Sequence, residues 1–392
     1  MNFLFSAEEE KLRTTVRVFL AEHFTDKVRA ENTAGRRGEG WGPAIRAFFD
    51  TVNEKRWFAW SWPIEFGGGG GDRTAQFVIE EEFYRATGIT LGGGTGAPAI
   101  LSFGTAAQKQ EFVPGAIKRE IIFCQGYSEP GCGTDLAGIR CRAKRVGDKY
   151  IVNGQKTWTT LGQYGEWIFC LVRTSNEGKP QTGISFLLID MKSPGITVRP
   201  IKLLDGECEV NEVWFDNVEV PAENLIGEEN KGWNYAKHLL AHERTNIADV
   251  NRAKRELERL KRIAKAEGVY DDMRFRDEIA KLEVDIVALE MLVLRVLSAE
   301  KSGKNSLDIA GLLKIKGSEI QQRYTELMMQ AAGPFALPFI FEAMDAGWQG
   351  NFPGGVVANA PLAANYFNMR KTTIYGGSNE VQRNIVAQTV LG

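Results

Sequence analysis

The hydrophobic period of the chain changes twice, and this constrains the fold more than any other feature. Near the start, Leu12, Val16, Phe19 and Leu20 recur on one helical face. Near Ile121 this gives way to short β-rich runs bounded by turn residues, and beyond Gly232 the helical period returns. A 3.6-residue period places side chains on one stripe of a helix and a two-residue period on one face of a strand, so a segment with one period is a poor fit to the other state. The chain therefore divides into a helical, a β and a second helical unit.

Ser6 with Glu9 three residues on is a capping-box start. Further helices are expected over 75–85, 97–103 and 108–118. Trp57, Trp60 and Trp62 precede Pro63 and the run Gly67 to Gly71, where a helix should give way to a loop. In the middle, 142–146 and 150–153 flank Gly147-Asp148, a hairpin signal. The segments 167–173, 184–190, 196–200 and 210–220 complete a compact β-unit. Ile279, Leu282, Ile286, Leu289, Val293 and Val296 then follow 3-4-3-4-3 spacing, and Leu313, Gly317, Ile320, Tyr324, Leu327 and Ala331 repeat it. Long stripes of this kind predict an antiparallel bundle. The charge-dense 252–278 reads as a solvated helix face, and 347–364 as a long loop. The expected architecture is multidomain α and β: a helical domain (1–120), a central β-barrel-like domain (121–228) and a C-terminal four-helix bundle (229–392).

Composition excludes several function classes. At 392 residues the chain exceeds a single simple core. A net charge of -2 gives no global field for nucleic acid or an anionic membrane. No apolar run reaches membrane-span length, and Met1 to Ser6 lacks a signal-like basic start. Five cysteines without a Cys-x-x-Cys pair, and three histidines, argue against a metal site or a disulfide framework. A cytoplasmic protein with no metal, nucleic-acid or membrane partner is expected.

Three short segments carry chemistry. Tyr127-Ser128-Glu129-Pro130-Gly131-Cys132-Gly133-Thr134-Asp135 offers hydroxyls and glycines that allow close backbone approach. Lys156-Thr157-Trp158-Thr159-Thr160 offers an aromatic wall and a further hydroxyl. A flavin needs such a wall, donors at its ring edge, and backbone N–H groups near its pyrophosphate. Taken alone, the first two segments read equally well as a Gly-Pro turn and a core Trp. Gly92 to Gly96 follows a helical pattern and no strand, so it reads as a connecting turn and not a dinucleotide loop.

Together with Ile374-Tyr375-Gly376-Gly377-Ser378-Asn379-Glu380-Val381-Gln382-Arg383, these segments resemble the acyl-CoA dehydrogenase family, and the resemblance runs from Pro63 to the C-terminus. It implies FAD as cofactor, contacted by Gln125, Tyr127, Ser128, Thr134, Trp158 and Thr160. Gly377, Ser378 and Glu380 match further flavin positions. Gln330 and Gly333 match part of a segment that commonly serves a neighbouring subunit's flavin, although its usual second Gly is here Pro334. The implied reaction is α,β-desaturation of an acyl-CoA, with electrons passing to electron-transferring flavoprotein.

Many members carry a catalytic Glu where this chain has Gly376. The family's other location is a Glu just before an Arg on the first long helix after the β-domain, and this chain has Glu243-Arg244 there. The resemblance thus implies Glu243 as base, Arg244 as a CoA or structural contact, and the Gly376 N–H and Thr134 at the thioester. On residue type alone, Glu243 reads more readily as a surface ion-pair partner than as a base; the lack of an acid at Gly376 is what shifts the reading to the base.

The chain departs from the family in lacking an Arg-x-x-Phe-Gly segment, for which Arg262 to Gly268 stands instead. That segment reaches across a subunit interface. Its absence, and the likeness of 210–221 and 227–233 to the large subunit of pimeloyl-CoA dehydrogenase, point to a homologous second subunit in an α2β2 assembly, as the resemblance to pimeloyl-CoA and bacterial steroid-type heteromeric acyl-CoA dehydrogenases implies, with a homo-oligomer as the alternative. The competing readings are a non-catalytic or half-site subunit, an oxidase reacting with oxygen, and a DNA-associated flavoprotein, which the charge disfavours.

Overall fold

The computed structural model describes residues 5–36, 41–92, 94, 96–301, 307–344, 348, 350, 352 and 359–390, with the side chains of 35, 36, 241–247, 300, 301, 307–310 and 344 outside that description. The first helix, α1 (Ala7–His23), begins on the expected capping box: the Glu9 N–H donates to Ser6 Oγ at 3.2 Å and the Ser6 N–H to Glu9 Oε2 at 2.6 Å. Val16, Phe19 and Leu20 are buried. They pack with α2 (Asp26–Arg36), α3 (Pro43–Glu54), α4 (Arg73–Thr87), α5 (Ala97–Phe103) and α6 (Ala106–Lys118) around an aromatic core that includes Phe48, Trp57 and Phe83. After α3 the Trp-rich stretch becomes a short 3₁₀ turn, Trp57–Ala59. The glycine run folds back on it, with the Gly69 and Gly71 N–H groups bonded to the Ala59 and Trp60 carbonyls.

The middle of the chain forms one curled, mixed seven-stranded sheet: β1 (Phe123–Gly126), β2 (Arg142–Val146), β3 (Lys149–Thr160), β4 (Trp167–Arg173), β5 (Ile184–Asp190), β6 (Ile196–Ile201) and β7 (Val210–Pro221). The order is β1-β4-β2-β3-β7-β6, with β5 pairing on the far side of β4. Gly147, at φ +62°, makes the β2–β3 turn. The four-residue β1 was not among the expected strands, being too short to show a period. It pairs parallel to β4, from Phe123 against Trp167 to Gly126 against Cys170. The long β3–β7 ladder slips twice, between Val152 and Gly154 and between Lys156 and Thr159.

The remaining helices are α7 (Gly232–Ala248), α8 (Val250–Ala266), α9 (Met273–Lys301), α10 (Leu307–Ala332), α11 (Leu362–Met369) and α12 (Asn379–Val390). Both predicted stripes are buried, and α10 runs through the middle, against α7, α8, α9 and α12. The expected loop over 347–364 is shorter, because Pro361 precedes the first turn of α11 at Leu362; most of its remaining residues lie outside the described ones.

The charge-dense segment departs from a simple solvated face. α8 buries Leu257, Leu260, Ile263 and Ala264, and its Lys254 bridges Glu81 on α4 and Glu290 on α9, each at 2.5 Å. Arg13 on α1 bonds Glu81 and, at 2.9 Å, Glu82. Burial opposes ionisation of Glu81 and Glu82, but the cations around them prevail and hold both below the usual carboxylate range. The network joins the first helical unit to the bundle. Among the described residues, no helix is long and apolar enough to cross a membrane.

Asp249, at φ +45°, separates α7 from α8 and accepts the Arg252 N–H at 3.4 Å. Burial pushes its carboxyl up to about 6 against the pull of Arg252. The folded state thus holds this proton more tightly than the unfolded chain, so the associated stability is present at acid pH and is lost as pH rises through about 6. Asn also caps helices and tolerates left-handed backbone. The stability of Asp249→Asn relative to wild type should therefore rise across that window, as measured by denaturant unfolding at a series of pH values.

Candidate active site

β1 ends at the aromatic face of the sheet. Tyr127 follows it, buried edge-on against Phe169 at 5.8 Å and Phe186 at 6.4 Å between ring centroids. The chain then turns tightly, Glu129 and Cys132 exchanging two backbone hydrogen bonds of 2.8 and 3.0 Å. Gly131 and Gly133 face open space, with no atom within 4 Å of where a Cβ would stand. Gln125 and Ser128 are half-buried, and Thr134 is exposed in the loop beyond the turn.

β3 supplies the other wall. The Thr157 N–H donates to the Ser128 carbonyl at 2.9 Å, which fixes β3 beside the turn. Trp158, at the second register slip, has φ +61° and leaves 57% of its surface exposed. A bulky residue rarely adopts left-handed backbone, which costs on the order of 1–2 kcal/mol, and here the indole is too exposed for its burial to account for that cost. Thr160 is exposed at the end of the strand. An open indole facing away from the core, glycines with free space and hydroxyls along a turn suit a planar ring system with polar edges, such as a flavin.

The terminal segment reaches the same end of the sheet. The connection between β6 and β7 is tied to the C-terminal helices by Asn368 donating to Asp205 and by the ion pair Lys371–Glu209. The Glu209 carbonyl also accepts the Leu161 N–H at 2.7 Å, three residues beyond Trp158. Beyond Lys371, Gly376 and Gly377 adopt φ +66° and +81°. Asn379 opens α12 on the buried Lys314, whose Nζ donates at 2.7 Å. The Glu380 carboxyl is held below its usual range by its own backbone N–H and the Ser378 hydroxyl.

Gln330 and Gly333 do not join this group within the chain. Asn379 bonds Ser318, twelve residues before Gln330, which is about 18 Å along α10. Gln330 is exposed and Gly333 has φ +57° with open space beside it. Just beyond, Phe335, Leu337, Phe339 and Phe341 are all exposed.

Glu243 and Arg244 lie on α7, with their side chains outside the described residues. The helix itself is firmly placed. Gly232 abuts the Ser185 backbone, where a Cβ would come within 2.5 Å. Ser102 on α5 meets His238 Nε2 at 3.1 Å, and Tyr235 Oη accepts the Glu228 N–H at 2.9 Å. At the far end, a Cβ on Gly317 of α10 would approach Ala248 Cα to 2.6 Å.

Sequence reasoning missed two residues, Lys156 and Glu129. Lys156 is fully buried, and its ammonium donates to Glu129 Oε1 at 2.8 Å and to the Tyr127 carbonyl at 3.2 Å. The available signal was strand parity, since Lys156 shares the inward face of β3 with Tyr150 and Val152, and a lysine there needs a buried counter-charge.

Family models agree with this arrangement. The acyl-CoA dehydrogenase N-terminal domain matches residues 6–120, the middle domain 124–218 and the C-terminal domain 230–391. The chain is 30% identical to the acyl-CoA dehydrogenase IpdE1 of Mycolicibacterium smegmatis, covering 98% of each. Among solved structures, the Tcur3481-Tcur3483 steroid ACAD superposes with a TM-score of 0.83 at 27% identity, covering 100% of this chain and 99% of that one. The ChsE4-ChsE5 complex from Mycobacterium tuberculosis gives 0.82 at 28% identity, with coverage of 100% and 99%. The fold and site thus define an oxidoreductase acting on acyl-CoA. The chain belongs to the acyl-CoA dehydrogenase family.

If Trp158 is held for ligand binding and not for packing, Trp158→Gly should change the unfolding free energy of the ligand-free protein by no more than about 1 kcal/mol, because relief of strain offsets the extra freedom of the unfolded chain. Loss of a packed aromatic would cost about 3–5 kcal/mol. Denaturant titration separates the two.

Proposed function

We propose that the chain catalyses α,β-dehydrogenation of an acyl-CoA thioester, with FAD as cofactor and Glu243 as the base. The observation that carries this reading is Trp158, strained and open to solvent beside the turn Tyr127 to Thr134. Gln125, Tyr127, Ser128, Thr134, Trp158 and Thr160 would hold the flavin ring. Ser378 and Glu380 would serve its remainder, and Gln330 and Gly333 the flavin of a neighbouring subunit. Bound FAD supplies the acceptor for the β-hydrogen, which leaves as hydride. Glu243 takes the α-proton, with the Gly376 N–H and Thr134 at the thioester and Arg244 at CoA. The positive φ of Gly376 supports an acid carried elsewhere, because a Glu at that backbone conformation would be strained. The units 1–120, 121–228 and 229–392 are the corresponding domains.

The same reading includes a homologous second subunit in an α2β2 assembly. The absent Arg-x-x-Phe-Gly segment supports it, as do the exposed phenylalanines beyond Gly333, a patch of the kind that marks subunit contacts. The name of one similar structure, the Tcur3481-Tcur3483 steroid ACAD, makes a bulky ring-bearing acyl-CoA the first substrate class to test. Electron-transferring flavoprotein is the proposed acceptor.

An acyl-CoA panel monitored by anaerobic flavin bleaching tests the chemistry. A positioned base contributes about 10²–10⁴ in rate, so Glu243→Gln should bleach slower by that factor; bleaching at the wild-type rate removes Glu243 from the role. Peroxide formation in place of electron-transferring flavoprotein reduction would identify an oxidase. Produced alone, the chain should be under-loaded with flavin and inactive, and co-production with its homologous partner should restore both. Full occupancy and turnover from the lone chain would end the heteromer.

A further inference from the structure

Glu129 and Lys156 form a buried ion pair that the proposed chemistry does not use. Glu129 leaves 8% of its surface exposed and Lys156 none. Beyond the 2.8 Å bond to Lys156 Nζ, the Glu129 carboxylate accepts the Cys141 N–H on Oε1 at 2.9 Å and the Arg140 N–H on Oε2 at 2.7 Å. Lys156 Nζ donates a further bond to the Tyr127 carbonyl at 3.2 Å. One pair thereby fastens three segments: the turn after β1, the residues leading into β2, and β3 two residues before Trp158.

A buried ion pair is a poor source of stability, because desolvation offsets most of the attraction and apolar replacements are often neutral. Its geometric effect is specific. The ammonium is the strap between Tyr127 on one wall of the trough and the β3 slip that turns Trp158 outward, and the carboxylate ties that strap to the backbone at Arg140 and Cys141. The Thr157–Ser128 bond is a further link between the walls.

We infer that Glu129 and Lys156 are a positioning pair that sets the separation of the two walls of the flavin trough, and so the fit of the isoalloxazine. The inference rests on the flavin reading above. Neither residue touches the reacting atoms; both act through Tyr127 and Trp158.

The double variant Glu129→Gln/Lys156→Met removes both charges together, keeps an amide oxygen for one of the two N–H groups at Arg140 and Cys141, and deletes the donor to the Tyr127 carbonyl. In the full chain, assembled with its partner where loading requires it, the double variant should still unfold cooperatively, at a midpoint lowered only by the one N–H left unpaired. FAD titrated onto the deflavinated protein should bind at least tenfold more weakly, and the visible flavin bands should lose fine structure. In turnover, kcat should fall with KM for acyl-CoA retained. Glu129→Asp, which keeps both charges and shortens the reach by one methylene, should shift FAD affinity and spectrum the same way by a smaller factor, and it decides the matter if the double variant does not accumulate. FAD binding, spectrum and kcat equal to wild type in whichever of these variants folds would overturn the inference while leaving the functional reading intact. Wild-type protein that takes up no FAD would overturn that reading, and the inference with it.

Discussion

Two glycines hold one helix in place. Gly232 lets α7 start against the backbone of β5, and Gly317 lets α10 approach the far end of α7 to backbone contact. Each contact is closer than a side chain allows, so α7 is confined at both ends by main-chain atoms, which do not change rotamer. The Ser102–His238 contact and the Tyr235–Phe103 ring contact at 4.4 Å limit rotation about its axis. A residue near the middle of such a helix is placed relative to the sheet and the bundle at once. The proposed proton abstraction from a weakly acidic carbon would depend on that kind of placement.

The helical units on either side of the sheet are connected through charge as well as packing. Lys254 and Arg13 share Glu81, and Arg13 and Arg17 share Glu82, so that three elements meet at two carboxylates. Pairs of this kind are sensitive to geometry and contribute modestly to stability where solvent reaches them. They favour one mutual arrangement of the first helices and the bundle over alternatives with the same apolar contacts.

Much of the fold was legible because long elements repeat their period often enough to register. The stripes from Ile279 to Val296 and from Leu313 to Ala331 are buried throughout. β1 escaped because four residues cannot display an alternation, and its place was determined by pairing with a strand some forty residues later. The turn Tyr127 to Thr134 and the Trp158 segment stood out by residue type, yet residue type could not show that Trp158 faces outward, since that follows from a register slip against β7. Lys156 and Glu129, twenty-seven residues apart, became a pair only through the sheet. The same limit applies to Lys254, whose partners on α4 and α9 no local pattern indicates.

The backbone around Trp158 also bears on how a ring system would dock. Its left-handed dihedral is set by the ladder around it and does not wait for a guest. The indole therefore faces solvent in advance, and the free-energy cost of ordering that wall has been met during folding. Association at such a surface loses little conformational entropy and gains from contact at the first encounter. The corresponding liability is an aromatic plane left wet whenever the guest is absent.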